Sequence, residues 1–484
     1  MKKKMLSILL AVALLATMLV MLAACTASTG LDEAETEAET TQELETYTSY
    51  DEENEDLNDE TDNDNENDND DVIPIAWTPT STSGLPSLHI RANGTPFVNR
   101  ELWIDSTFEL AGGGNAAHHF ADATGRIRGR GNSTWWDLPG KRPLRFTLTS
   151  AQPMLGSANA HRNWILLADH ADMSLLRNYI TLHIGRQLNG LYWTPSARSV
   201  HLYVNGQYQG VYLLTEEREV GPGRARLSAH ADPTISEYFL ELDWRLFRNG
   251  TEGEDFFRIN TSRAGYSGSS IANVPNRDSL YEIRWPDATP ERMEYARAFI
   301  ERVSRAIRSR DFAAISAVLD INSMADFMIM QELTRNPDAG FSSWFMQIRG
   351  QGDNRRLYMG PLWDFDITYG NWYADRSPYG LFLSGQHYWF QNLMQVRQFR
   401  TVLSQRFDTM AHPAITASTN HVRQLATRYQ SCFARNFTRH PILGTAVWPN
   451  RTPPQMVALN SHAAHVDFLL DFITRRANYM RRAL

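Results

Sequence analysis

The stretch Glu332–Asn371, ELTRNPDAGFSSWFMQIRGQGDNRRLYMGPLWDFDITYGN, decides how the rest of the chain is read. Just before it, Ile321, Met324, Phe327, Met328, Met330 and Leu333 fall at helical spacing, so the stretch opens as the end of an apolar helix. Asn336-Pro337 stops that helix, because proline disfavours the helical region for the residue before it. Asp338 therefore falls on a loop just past a buried helix, where a carboxylate can reach solvent. Two short strands follow, SWFMQI (343–348) and RRLYMG (355–360), joined by the turn RGQGDN. The second strand runs into Pro361-Leu362-Trp363-Asp364-Phe365-Asp366.

Working outward to the N-terminus, residues 1–24 read as a targeting segment, with Lys2, Lys3 and Lys4 ahead of an apolar run from Leu6 to Met21. The segment ends Leu22-Ala23-Ala24-Cys25, which resembles a bacterial lipobox. That resemblance implies cleavage before Cys25, a lipid anchor on its thiol and an extracytoplasmic, membrane-tethered protein. The other cysteine, Cys432, then has no intramolecular partner, and no disulfide framework is expected. Residues 25–73 read as a disordered spacer: between Leu31 and Val72 there are 20 Asp or Glu and no Lys or Arg. Such a segment repels itself and buries too little apolar surface to order. The whole chain carries 47 basic and 55 acidic side chains. Without the three signal lysines and the 20 spacer carboxylates, 44 basic and 35 acidic groups remain, a net charge of +9. The folded part is therefore basic and suits an anionic ligand such as a nucleotide or an acidic polymer. Nucleic acid is not expected as a partner.

Residues 74–289 read as a β-rich lobe and 290–484 as a helical one, an α+β, two-lobed architecture. Strands are expected at 85–94, 101–113, 125–135, 142–150 and 163–170. A helix is expected from about Met173 to Leu188, capped by Asp172. SVHLYVNGQYQGVYLLTEE (199–217) is the clearest hairpin, turning at Asn205-Gly206. Further strands are expected at 237–244, 255–260 and 281–286, then helices at 291–309, 312–319 and 323–333. The tail from His387 onward reads as mostly helical, interrupted near 441–454.

Three groups of residues could carry chemistry. In Arg126-Ile127-Arg128-Gly129-Arg130-Gly131-Asn132, the alternate arginines share a strand face and could meet an anion, while the glycines allow close backbone approach. Lys141, nine residues past Asn132, could place an ammonium on phosphate oxygens. Asp364 and Asp366 are two hard oxygen ligands suited to Mg²⁺, which takes few carboxylates and leaves positions for phosphate. His118-His119 lacks partners at zinc spacing, and no GxSxG elbow, P-loop or full GxGxxG is present. Besides an ATP enzyme, two readings stay open: a glycosyltransferase using Asp364-Phe365-Asp366 for a sugar-nucleotide, and a surface-binding module without catalysis.

The order helix, loop Asp, hairpin, Asp-Phe is also that of a protein-kinase C-lobe. More specifically, RGRGNSTWWDLPGKRPLRFTL, LLADHADMSLLRNYITLHIG, YVNGQYQGVYLLTEE, EYFLELD and GPLWDFDITYGN, in that order, resemble the spore-coat CotH family of atypical protein kinases. The resemblance spans about Leu85 to Arg406. It implies a kinase-like fold and Mg²⁺/ATP-dependent phosphorylation of protein serine or threonine, with sporulation as one setting. It further implies that Lys141 meets the nucleotide phosphates, that Arg128, Gly129, Arg130, Gly131 and Asn132 cover them, and that Glu216 is the acidic residue near the nucleotide. Asp338 would be the catalytic base, Asp364 and Asp366 would hold Mg²⁺, and Arg177 and Asn178 would be structural or close to the nucleotide. Two departures stand out. Ser343 occupies the place of the kinase catalytic-loop Asn, five residues after the base. The helix expected at 173–188 has no Glu to pair with Lys141. A catalytically inactive kinase relative therefore also stays open.

Overall fold

The computed structural model describes residues 84–484 apart from 114–118, 139, 155–158, 247–249, 260–278, 341, 373–376, 386 and 449–450. The targeting segment, Cys25, the acidic spacer and His118 lie outside the described residues. The protein has a mixed α+β structure, β-rich in its N-terminal region and helical in its C-terminal region.

Seven strands form a closed barrel: β1 (Ser87–Ala92), β2 (Ile104–Ala111), β3 (Phe120–Gly129), β4 (Leu144–Gln152), β5 (His161–Leu167), β6 (Ala197–Val204) and β7 (Gln207–Glu216). The order around the barrel is β1-β2-β3-β4-β5-β7-β6, and only the β1–β6 closure is parallel. Alternation decides what lies inside. Leu88, Ile90, Phe108, Ile127, Phe146, Trp164, Leu166, Leu202 and Leu214 fill the interior. The hairpin β6–β7 turns at Asn205-Gly206 as the sequence predicts, both residues at positive φ. Closure into a barrel was not legible from the strand patterns.

Two helices interrupt the barrel strands, and both depart from expectation. Ser133–Trp136, expected as the end of a strand, forms the short helix α1, with Trp135 buried. α2 spans Arg177–Gly185, four residues later than Met173 at its start. The buried Asp172 carboxylate accepts from Ser174 N (2.9 Å), Leu176 N (3.1 Å) and Arg177 N (2.8 Å). It therefore caps as expected, but it first closes a turn in which Leu175 takes φ 57°.

A second, five-stranded antiparallel sheet comprises β8 (Tyr238–Leu242), β9 (Phe257–Ile259), β10 (Ser279–Trp285), β11 (Trp344–Arg349) and β12 (Arg356–Met359), in the order β12-β11-β8-β10-β9. The lobe boundary expected at residue 290 runs through this sheet: β8, β9 and β10 precede it, and β11 and β12 follow it. Its two faces meet different partners. Tyr238, Leu240, Leu242, Trp344, Met346 and Ile348 enter the helical core, whereas Phe239 and Phe345 pack with Trp363 against Ile165 on the outside of the barrel.

The remaining helices are α3 (Pro290–Ser309), α4 (Phe312–Ser316), α5 (Ile321–Thr334), α6 (Tyr388–Leu393), α7 (Arg397–Arg406), α8 (His412–Arg428), α9 (Gln430–Arg439), α10 (Pro454–Val457) and α11 (His462–Ala483). α5 is the central one, buried at every position from Ser323 to Thr334. Asp320 caps its start through Ser323 N at 2.7 Å, and Arg335 ends it in the left-handed region, just before Asn336-Pro337. Among the described residues, no helix is long and apolar enough to cross a membrane.

Candidate active site

After β12 the chain runs through Pro361–Asn371 in turns that are held from three sides. Phe365 is fully buried in the helical core, so the two flanking aspartates turn away from it. Phe365 N donates to Asn178 Oδ1 (2.8 Å), Arg177 Nε donates to Thr368 O (2.9 Å), and Tyr369 N donates to Thr334 O (2.9 Å). Asn371 Nδ2 closes the loop on Asp366 O (2.9 Å) and ties it to Ala171 O (3.0 Å). Helices α2 and α5 thus hold the backbone through Asn178, Arg177 and the Thr334 carbonyl, and Asn371 and the Thr368 hydroxyl, which donates to Phe365 O at 2.6 Å, add ties of the loop's own. The carboxylates of Asp364 and Asp366 take no part in holding it.

Those carboxylates face others. Asp366 is 8% exposed, and among the described residues no donor is directed at its carboxylate. Burial first, then the charges of Asp364, Asp169, Asp172 and Asp338, push its acid well above the usual range. Asp364, at φ 68°, accepts from Ser343 Oγ at 3.2 Å. Asp338 lies on the turn after α5, its N–H bonded to Asn336 Oδ1 (3.0 Å). Burial and the neighbouring Asp364 push its carboxyl up to about 7, against the pull of Arg245 and Arg451. The expected base and the expected metal pair are therefore brought together, and Ser343 joins them. A buried carboxylate with no donor, repelled by four others, calls for a cation. The donor set is all hard oxygen, which suits Mg²⁺. Among the described residues no three acidic, imidazole or thiol side chains are arranged to hold a metal alone, so a pair would leave positions for phosphate and water.

Lys141 is 3% exposed and does not project into an open cleft. Its ammonium donates to Ala168 O (2.6 Å) and Val211 O (2.5 Å) and lies 4.6 Å from the Tyr212 ring centroid. Burial pushes it down to about 7, while Asp169 and Asp172 draw it back up. It anchors the segment between β5 and α2 from beneath. The corner Arg128–Asn132 is likewise bound up internally. Arg128 donates to Arg100 O and lies over Trp103, and Arg100 Nη1 holds both Gly131 O (2.9 Å) and Asn132 Oδ1 (3.1 Å). A Cβ at Gly129 would stand 2.2 Å from the Trp135 ring, so this glycine is required by the indole. The expected reason, close approach of an anion, gives way to that packing. Arg130 alone reaches toward the acidic loop, 5.8 Å from the Trp363 ring centroid.

Residues 126–480 match the family model described as CotH kinase protein. The chain belongs to the CotH kinase family. No curated protein matches it.

Within this CotH kinase chain, Glu216 is not brought together with Lys141. It stands opposite Trp164, five residues along β7 from Val211, about 17 Å at the rise of a strand. Its carboxylate accepts from Ser196 N (2.7 Å) and faces Arg224 Nε (3.8 Å) and His161 Nε2 (4.0 Å) inside the barrel mouth. Sequence reasoning missed a nearer acid, Asp169, whose charge acts on Lys141 and on Asp366. Asn178 Nδ2 donates to Asp169 Oδ1 (2.8 Å), so one amide spans from Asp169 to Phe365 N. Asp169 lies in the LLADHADMSLLRN motif, and its left-handed backbone (φ 48°) is invisible in a strand-like pattern. Arg177 is fully buried and paired with Asp172, which gives it a structural role.

Proposed function

We propose that this CotH kinase chain is an atypical protein kinase that transfers the γ-phosphoryl group of ATP to serine or threonine hydroxyls of a protein. One arrangement supports the reading: the buried Asp366, to whose carboxylate no donor among the described residues is directed, beside Asp364 and the loop aspartate Asp338, in a chain of this family. Bound Mg²⁺–ATP would supply the transferable phosphoryl group, and Asp364 and Asp366 would hold the metal. Asp338 orients the acceptor hydroxyl and takes its proton. Ser343 fixes the Asp364 carboxylate through its hydroxyl. Asn178 and Asn371 hold the loop backbone, so the carboxylates need not reorganise during transfer. Lys141 steadies the Ala168–Asp169 segment, and Arg130 brings the RGRGN corner to the loop.

Thermal unfolding with ATP or UDP-glucose, each with Mg²⁺ or Mn²⁺, tests the reading, because a ligand that binds only the folded state raises the midpoint. A rise with Mg²⁺–ATP that the Asp364→Ala/Asp366→Ala double variant loses, together with transfer of labelled phosphate to protein, is expected. A rise with UDP-glucose alone would favour a glycosyltransferase, and no rise with either nucleotide a binding module. We also propose that the chain is a lipoprotein, tethered outside the cytoplasm through Cys25. Cys25→Ser should release it from the membrane fraction, and unchanged membrane retention would refute the anchor.

A further inference from the structure

Ser343 and Asp364 come from different segments, yet both leave the favoured backbone regions where they meet. Ser343, just ahead of β11, takes φ 54° and Asp364 takes φ 68°, and the Ser343 hydroxyl donates to the Asp364 carboxylate at 3.2 Å. The left-handed region is unfavourable for a residue with a Cβ, and it persists only where the surroundings over-determine it. Each of the two residues has a buried ring close by in sequence. Phe345 lies two residues beyond Ser343, and Trp363 directly precedes Asp364. Gly360 N donates to Phe345 O (2.9 Å), so β11 and the start of the loop share a joint.

Arg218 lies over both rings. It follows the end of β7 by two residues, and its guanidinium carbon stands 4.4 Å from the Trp363 ring centroid and 4.9 Å from that of Phe345. The side chain is buried, and Glu217 holds it from the barrel side. Arg218 Nε is 3.5 Å from Glu217 Oε1, which also accepts from Arg218 N (2.9 Å). Beneath the guanidinium, Trp363, Phe345 and Phe239 pack against Ile165 of β5. A cation gains most from aromatic faces where water is excluded, as it is here. The charge of Arg218 is thus engaged by a carboxylate and two rings. It fastens the barrel to the two segments that meet at Asp364.

We propose that Arg218 is a positioning residue for the metal site of this CotH kinase, acting through Trp363 and Phe345 to hold the Asp364 carboxylate in its binding orientation. The inference rests on the kinase reading above, in which Asp364 and Asp366 hold Mg²⁺. A carboxylate ligand binds well only in the orientation its supports impose, and loss of such a support lowers metal affinity about 10–100-fold. The sign of the effect separates this role from a direct one. An Arg218 charge felt by the cation through space would repel it, so its removal would tighten binding. Removal of a support loosens binding.

The test uses the full chain and calorimetric titration of Mg²⁺ in the presence of a non-hydrolysable ATP analogue with an imido β,γ-bridge. Arg218→Met keeps length and apolar packing, and Glu217 keeps Arg145 Nη2 at 3.6 Å, so the chain is expected to fold. Its Mg²⁺ affinity should fall about 10-fold or more. Trp363→Leu should cause a similar fall. The double variant should lie within about twofold of the weaker single one, because both act along one chain of contacts. Arg218→Lys keeps the charge beside Glu217 but not the planar face on the rings. It should show a smaller loss in the same direction, and it carries the test if Arg218→Met does not fold. Unchanged or tighter Mg²⁺ binding, even with a lowered unfolding midpoint, would make Arg218 a stabilising residue only and overturn the inference. Losses that multiply in the double variant would overturn it too, since they mark two independent effects. Both results leave the kinase reading intact. If the unaltered chain binds no Mg²⁺ with nucleotide, the kinase reading fails and this inference fails with it.

Discussion

The loop Pro361–Asn371 and the corner Arg128–Asn132 carry the two most suggestive motifs of the chain, and they use their polar groups in opposite ways. In the loop, the side-chain and carbonyl ties to the backbone come from residues outside the aspartate pair, among them Asn178, Arg177, Asn371, Thr368 and Thr334. Of the two carboxylates, Asp364 accepts only the Ser343 hydroxyl among the described residues, and they repel one another. In the corner, Arg100 occupies Gly131 O and Asn132 Oδ1, Trp135 fills the space beside Gly129, and Arg128 rests on Trp103. Acids crowded together where burial makes their charge costly mark a site that awaits a cation. Groups tied to one another and laid on indoles mark a structural joint, whatever anion-binding pattern they spell.

That contrast breaks first at Asp366. Asp366→Asn should lower phosphate transfer by about 10³-fold. It should also raise the unfolding midpoint of the ligand-free protein, because it removes a buried charge facing four others. A lowered midpoint would mean that the carboxylate is structurally engaged after all, and the loop would then resemble the corner.

The next largest effect belongs to the support beneath the loop. Arg177→Met leaves Asp172 buried and unpaired and frees Thr368 O, at a cost of about 3–5 kcal/mol in denaturant unfolding. A cost below about 1 kcal/mol would show that the loop is held without Arg177. Gly129→Ala sharpens the other side of the comparison. Its Cβ would press on Trp135, costing about 1–3 kcal/mol. Nucleotide affinity of the folded fraction, measured by calorimetry, should hold within about twofold. A selective loss of affinity would return the corner to phosphate binding.

The smallest effect is a pH dependence to which residues outside both motifs contribute. Burial pushes the imidazoles of His170 and His387 down from 6.5 to about 3. Unfolded, each binds a proton below pH 6.5; folded, neither does until about pH 3. The unfolded state therefore holds more protons across this window, and their stabilising contribution is lost as pH falls from 6.5 toward 3. The stabilising contribution of these imidazoles should be smaller at pH 5 than at pH 7.5, opposed by Asp338 and Asp169, whose carboxyls burial pushes up to about 7. His387→Asn, which keeps an acceptor for Trp389 N, should remove its share from the pH dependence of the unfolding midpoint. An unchanged dependence would show that His387 is not a source of it.

Much of this arrangement was legible in one dimension. Alternation located the barrel strands, and the Asn-Gly turn located the β6–β7 hairpin, because side-chain direction in a strand follows period two. The end of α5 at Arg335 and the turn that carries Asp338 both follow from local sequence. Where local chemistry competed with itself, the reading failed. STWW has strand-forming residues but starts a helical turn after Gly131, which takes φ 92°. The turn closed by Asp172 delays α2 until Arg177.

The sequence by itself determined the strands and helices, the acidic loop and the family, since these depend on neighbours along the chain and on ordered motifs. Only the tertiary structure decided that the barrel closes, that Lys141 is bound to two carbonyls, and that Glu216 belongs to Arg224 and Ser196. It alone brings Asp169 and Asp338 to one loop. Burial and partnership, which set whether a charged group is committed or available, are properties of residues distant in sequence. Spacing along the chain therefore carries no record of them.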